Sequence, residues 1–168
     1  INCEQAKLVS GVYEIFTIED IEKICTPWKG VLGHLGEMRS PIQYPLAKDF
    51  VRWQGEPVVV VVAKSRAIAE DASELVEIEY EELPVVVDLE NAAMAAEIHK
   101  EVPGNCYFDW ELGDEKATGE ALNSASKIVK LTVRNNRLIP NAMEPRAALA
   151  EYDDVSESYT LHTTSQNP

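Results

Sequence analysis

The groups in this sequence that could ligate a metal, attack a carbon or relay a proton are three histidines, three cysteines and several adjacent acids. Metal-assisted hydrolysis from a helix needs two histidines one turn apart with a glutamate beside the first, the HExxH spacing that points both rings from one face. His34, His99 and His162 form no such constellation, so each reads as a surface or structural residue. Cys3, Cys25 and Cys106 form no CxxC pair, which leaves no zinc knuckle and no iron–sulfur ligand set. They read as reduced, buried thiols in a reducing compartment, the cytoplasm. A serine nucleophile would sit on a GxSxG elbow, which is missing, and Ser165 has no sequence neighbour that would activate it. The acid pairs Glu81-Glu82 and Asp153-Asp154 fall in strand-end and turn contexts, where water solvates both carboxylates. Gly30, Gly33 and Gly36 give GxxGxxG rather than a phosphate-cradling GxGxxG, so 27–45 reads as an irregular Gly- and Pro-rich loop.

One charge feature stands out. Lys127, Lys130, Arg134, Arg137 and Arg146 occur with the single acid Glu144 in a chain whose net charge is -14. Such a stripe could receive an anionic cofactor or an acidic partner, and solubility of a strand's wet face explains it equally well. The overall balance of 29 acidic to 15 basic residues disfavours the phosphate contacts that dominate nucleic-acid affinity. No apolar run approaches the ~20 residues of a membrane-spanning helix. The chain begins at Ile1 and stops directly after a strand pattern, so both ends read as cut.

The elements that must position these groups follow from periodicity. A strand is expected over 12–16, then a short helix with Thr17 as N-cap and acids in its first turn. The run 58–63 is continuously apolar and predicts a central strand buried on both faces. Ser65 is expected to cap a helix whose Ile68, Ala72 and Leu75 share one face, leaving Glu70, Asp71 and Glu74 to water. Alternation over 76–80 predicts a one-sided strand with solvated acids, followed after Pro84 by a short strand at 85–87. Residues 88–104 read as an alanine-rich helix and a linker. Beyond it come a strand at 107–112, a helix capped by Asp114 and ending near Ser126, a one-sided strand at 129–133, and two final strands at 147–152 and 159–164 joined by an Asp153-Asp154 turn. With 168 residues, 45% of them hydrophobic, there is room for one ordinary domain or two small ones, and mixed strands and helices give an α+β class.

Whole segments carry more than any single residue. The stretches 55–63 (GEPVVVVVA), 69–88 (AEDASELVEIEYEELPVVVD), 136–153 (NRLIPNAMEPRAALAEYD) and 163–168 (TTSQNP), with 109–114 (DWELGD) between them, resemble in order the molybdenum-binding large subunits of the xanthine dehydrogenase, aldehyde oxidase and aerobic carbon monoxide dehydrogenase family. The resemblance covers essentially the whole chain and implies an a/b hammerhead domain over 1–88, a linker over 89–105, and the N-terminal part of the first molybdopterin-binding domain over 106–168.

By the family's pattern Gln166 matches the glutamine that approaches the molybdenum and its oxo ligand, and it is the one cofactor-facing residue the resemblance assigns. Strand alternation would place it with His162 and Thr164, away from Tyr159, Leu161 and Thr163. Glu144 and Arg146 match a recurrent motif of structural role. In full-length relatives the molybdenum–molybdopterin cofactor, in some as the cytosine dinucleotide form, hydroxylates an aldehyde or N-heterocycle with water-derived oxygen or oxidises carbon monoxide. Electrons leave through iron–sulfur and flavin subunits or domains. The family's glycine-rich cofactor loop and catalytic glutamate have no counterpart here, so no catalytic set is complete, no metal ligand is expected, and the chain alone is expected to be inactive and free of cofactor. A non-catalytic acidic scaffold or assembly module with the hammerhead fold is the alternative from a different class.

Overall fold

The computed structural model describes residues 1–30, 32, 38–136, 138 and 141–165. By contacts the chain divides into two compact units, Ile1–Gly113 and Asp114–Pro168.

In the first unit, strand β1 (Val12–Phe16) pairs antiparallel with β4 (Val60–Ala63), matching Ile15 with Val61 and Phe16 with Val60, with a register shift between Val12 and Glu14. Two helices lie against this pair: α1 (Glu4–Lys7) contacts β1, and α3 (Arg66–Ser73) contacts β1, β4 and α1. Small residues permit the close approach, since Ala6 and Ala72 are fully buried, and Ile15 is buried with them. Ser65 caps α3 as expected, its hydroxyl accepting from the Ile68 N–H. Gly11 precedes β1 at φ +94, a conformation that a side chain resists, and its carbonyl accepts from the Lys64 N–H at 2.8 Å. Thr17 starts α2 (Ile18–Ile21), where the Asp20 carboxylate accepts from both the backbone N–H and the hydroxyl of Thr17.

The expectation of a strand buried on both faces is corrected. Val61 and Ala63 are partly covered, whereas Val60 and Val62 are 43% and 39% exposed, and β1 is the one ladder partner of β4 among the described residues. A continuous apolar run specifies that both faces prefer cover; it cannot supply the cover. The same reason accounts for 76–80 and 85–87. Their alternation and β-branching suit a strand, yet among the described residues the ladder is a single bridge between Asn2 and Glu77, with backbone bonds of 2.8 and 3.0 Å. The acids of this stretch are exposed, in keeping with a solvated face.

Among the described residues the Gly- and Pro-rich loop contains one short antiparallel pair, β2 (Trp28–Lys29) with β3 (Ile42–Gln43). Further on, Leu46 is buried and the Ala47 N–H donates to the Pro57 carbonyl. The alanine-rich segment forms 3-10 turns at Ala92–Met94 and Pro103–Asn105 in place of the expected helix. Side chains compete with the helical ladder there. The Asn105 amide accepts from the Ile98 N–H at 2.9 Å and donates to the carbonyls of Ala92 and Ala96 at 2.8 and 3.0 Å, while Asp88 accepts from the Glu90 N–H. Val102 is buried, and the Arg39 N–H donates to the Tyr107 carbonyl at 2.7 Å. No strand forms at 107–112.

In the second unit, α4 (Glu115–Ser124) starts at the expected cap, Asp114, whose carboxylate accepts from the Ala117 N–H at 2.8 Å. The expected strand at 129–133 is not formed; Val129 and Leu131 stand 81% and 83% exposed, with no ladder partner among the described residues. The unit ends in a hairpin of β5 (Ala148–Asp153) and β6 (Ser158–Thr163). Among the described residues no helix is long and apolar enough to cross a membrane.

Candidate functional site

The hairpin contains the end of one segment that carries the resemblance, 148–153, and Thr163, the start of another. Its register runs from Ala148 opposite Thr163 to Asp153 opposite Ser158. At the turn, the Asp153 carboxylate accepts from the backbone N–H groups of Val155 and Ser156, 2.8 and 3.3 Å away, and these bonds hold its pKa below the ordinary value. Residues directly opposite share a face, so Tyr152 and Tyr159 pack together with ring centroids 4.7 Å apart, and Leu161 and Thr163 continue that face. The other face carries Glu151 and His162, whose Oε2 and Nε2 approach to 3.4 Å. At the open end the Thr163 hydroxyl donates to the Ala147 carbonyl at 3.3 Å. Register therefore sets Ala147 and Ala148, at the end of the EPRA segment and the start of β5, beside Thr163, the last residue of β6.

The expected site residues are placed as follows. Gln166 lies outside the described residues, as do His34 and Arg137. Glu144, Arg146 and Ser165 are exposed. Lys127, Lys130 and Arg134 are exposed on a segment without regular structure, so these described residues form no basic strand face. His162 belongs to the hairpin, whereas His99 belongs to the first unit and stands edge-on to Tyr107, with centroids 6.2 Å apart and planes at 86°. Burial first, then the positive charge of Arg52, lowers the His99 pKa, against the opposing pull of Glu101 and Glu56. The cysteines are all free thiols, but the expectation of burial is corrected: Cys3 and Cys25 are partly covered and Cys106 is exposed, since each lies in or beside a short turn or loop.

Two features escaped the reading of residues. Asn105 ties three backbone positions together from a left-handed φ of 53. Arg52 buries its Nε without an acceptor. The Gly-Asn pair at 104–105 signals the first, because both types tolerate positive φ; nothing local signals the second.

No group of three or more His, Cys, Asp or Glu among the described residues could hold a metal ion. The described part of the chain thus offers no ligand set for a metal. What the hairpin fixes is the register of its two strands and the side chains that share each face.

The described elements are those of an α+β protein: an α+β unit, then a unit with a capped helix and a hairpin. Residues 1–84 match the family described as aldehyde oxidase and xanthine dehydrogenase, a/b hammerhead domain, and residues 98–168 match the molybdopterin cofactor-binding domain. The chain belongs to the aldehyde oxidase and xanthine dehydrogenase family, within its molybdenum-cofactor-binding large subunits. It is 30% identical to the carbon monoxide dehydrogenase large chain of Afipia carboxidovorans, an alignment that covers 100% of this chain and 22% of that one. It is 35% identical to the nicotine 6-hydroxylase large subunit of Paenarthrobacter nicotinovorans, covering 100% of this chain and 20% of the relative. Among solved structures, quinoline 2-oxidoreductase from Pseudomonas putida 86 superposes with a TM-score of 0.84 at 30% identity, covering 98% of this chain and 21% of that one. The chain spans about a fifth of the length of these relatives.

Proposed function

We propose that this chain forms the hammerhead domain and the opening strands of the first cofactor-binding domain of an oxidoreductase large subunit. That subunit hydroxylates an aldehyde or N-heterocycle with water-derived oxygen, or oxidises carbon monoxide. The observation that supports this reading is the β5–β6 register, which sets Ala148, directly after the EPRA segment, opposite Thr163, the first residue of the TTSQNP segment. The hammerhead would occupy 1–88, the connection 89–105 and the cofactor-binding domain 106 onward; the two family matches leave 85–97 between them, which supports this division.

Gln166 is the proposed cofactor-facing residue. A neutral amide suits that position, because its NH₂ donates to an oxygen of the cofactor and its carbonyl accepts from cofactor or backbone, without adding charge. Support comes from the sequence, in which Gln166 follows Thr163, the last residue of β6, within the TTSQNP segment. The cofactor would be molybdenum–molybdopterin, in the cytosine dinucleotide form. Iron–sulfur and flavin subunits or domains would be the electron-accepting partners, and the assembly would reside in the cytoplasm.

Elemental analysis tests the reading. The product of the complete gene, made with the cofactor, should hold about one molybdenum per polypeptide and reduce a dye with an aldehyde, an N-heterocycle or carbon monoxide. The 168-residue chain should hold none. Stoichiometric molybdenum in the short chain, or a complete gene product without molybdenum or turnover, overturns it.

A further inference from the structure

Among the described residues every buried side chain belongs to the first unit, and the second unit has none. The elements of the second unit do not cover one another. α4 packs on neither strand of the hairpin, and among the described residues β5 and β6 have only each other as ladder partners. Tyr159 and Leu161, which share a hairpin face, stand 80% and 62% exposed. A two-stranded hairpin is marginal in water and needs a third strand or a packed layer to become stable.

The segment 128–133 offers an unused edge beside these faces in the sequence. Val129, Leu131 and Val133 alternate with Lys130 and Thr132, so an extended chain presents three apolar side chains on one side and two polar ones on the other. The apolar three are exposed, and no backbone N–H or carbonyl of 128–133 bonds to the backbone of another described residue. Free backbone groups along an apolar face are a template for an added strand. Length and charge argue what that strand belongs to. The chain superposes over 98% of its residues on a solved chain of which it covers 21%, so these elements have the form they take within a much longer polypeptide. A second copy is disfavoured, because a net charge of -14 opposes the association of two identical chains.

We infer that 128–133 and the exposed faces of the β5–β6 hairpin form an acceptor site for a strand-bearing portion of the same subunit outside these 168 residues. The incoming strand pairs along 128–133 and sets apolar side chains beside Val129, Leu131 and Val133. On its other face it presents acidic or hydrogen-bonding groups to Lys130 and Thr132. The second unit thus gains its core from that portion and not from its own elements. This inference rests on the reading of the chain as part of a large subunit.

The test is amide hydrogen exchange, read by mass spectrometry, on the 168-residue chain and on the product of the complete gene. Amides of 128–133 should exchange at their intrinsic rate in the short chain and at least about tenfold more slowly in the complete product, while β1 and β4 are protected in both. Leu131→Asp should leave the thermal midpoint of the short chain unchanged, because the side chain is exposed, and should abolish the protection of 128–133 in the complete product. If that variant does not accumulate, the two unsubstituted polypeptides decide on their own. Free exchange of 128–133 in the complete product, or equal protection in both polypeptides, overturns the acceptor site. Protection in the short chain that rises with its concentration also overturns it and assigns the edge to a second copy. Molybdenum content separates this inference from the function on which it rests. Protected amides in a complete product without molybdenum leave the acceptor site standing and remove the function; free amides in a molybdenum-loaded product do the reverse.

Discussion

The hydroxyl of Thr163 donates to the carbonyl of Ala147, 3.3 Å away, and so fastens the last residue of β6 to the residue that enters β5. Because Thr163 also lies opposite Ala148 in the ladder, this bond fixes the open end of the hairpin.

Thr163→Val keeps the β-branched shape and removes the hydroxyl. The ladder should persist from Ala150 to Asp153 while the open end frays, at a cost of about 0.5–1 kcal/mol, as for a single neutral hydrogen bond. Cross-strand NOEs between Ala148 and Thr163 report the fraying; undiminished NOEs would show that the hydroxyl contributes nothing to the register.

Gly11→Ala and Gly119→Ala should act in opposite directions. At Gly11 the φ of +94 disfavours a side chain and an added Cβ would lie 2.9 Å from Ile68 Cδ1, so a loss of about 1–3 kcal/mol is expected. Gly119 sits inside α4 with open space at its Cβ position, so alanine there should raise stability by roughly 0.5–1 kcal/mol. Denaturant titrations of the two variants decide, and a matching sign for both would contradict the local backbone argument.

Asn105→Ala should release 92–105 by removing three side-chain bonds to backbone, a loss of about 2 kcal/mol. Asn105→Gly retains tolerance of the φ of 53 but not the bonds. If the bonds dominate, both variants should open the segment to protease equally; if the backbone conformation dominates, glycine alone should resist.

Acid should loosen the hairpin turn through Asp153. Its backbone donors hold the carboxyl pKa below the ordinary 3.8, so the turn's added stability is present above that pH and is lost as pH falls through the lowered value. Amide shifts of Val155 and Ser156 should report this transition, and Asp153→Asn should erase it.

In the complete enzyme, Gln166→Ala should keep fold and molybdenum content while lowering turnover by roughly 10- to 100-fold, the scale for groups that orient a metal centre from outside its ligand set. Full turnover at full molybdenum content would remove Gln166 from the cofactor's surroundings.

The sequence by itself determined what local signals encode. Ser65 and Asp114 each cap the helix expected of them, the short apolar run over 12–16 gives β1, and the Asp153 turn places the final hairpin to within a residue. A cap is satisfied by N–H groups two or three residues away, and a turn by its own side chain, so these elements need no distant partner. The ordered segments likewise made the family legible before any contact was known. Tertiary structure decided everything that depends on a partner remote in sequence. The patterns at 76–80 and 129–133 specify an apolar face but not the strand to pair with it, and among the described residues they form no full ladder. The alanines of 92–96 have high helix propensity, yet three bonds from Asn105 outweigh it. Periodicity could not signal the edge-on contact of His99 with Tyr107, because only the folded loop brings the two rings together.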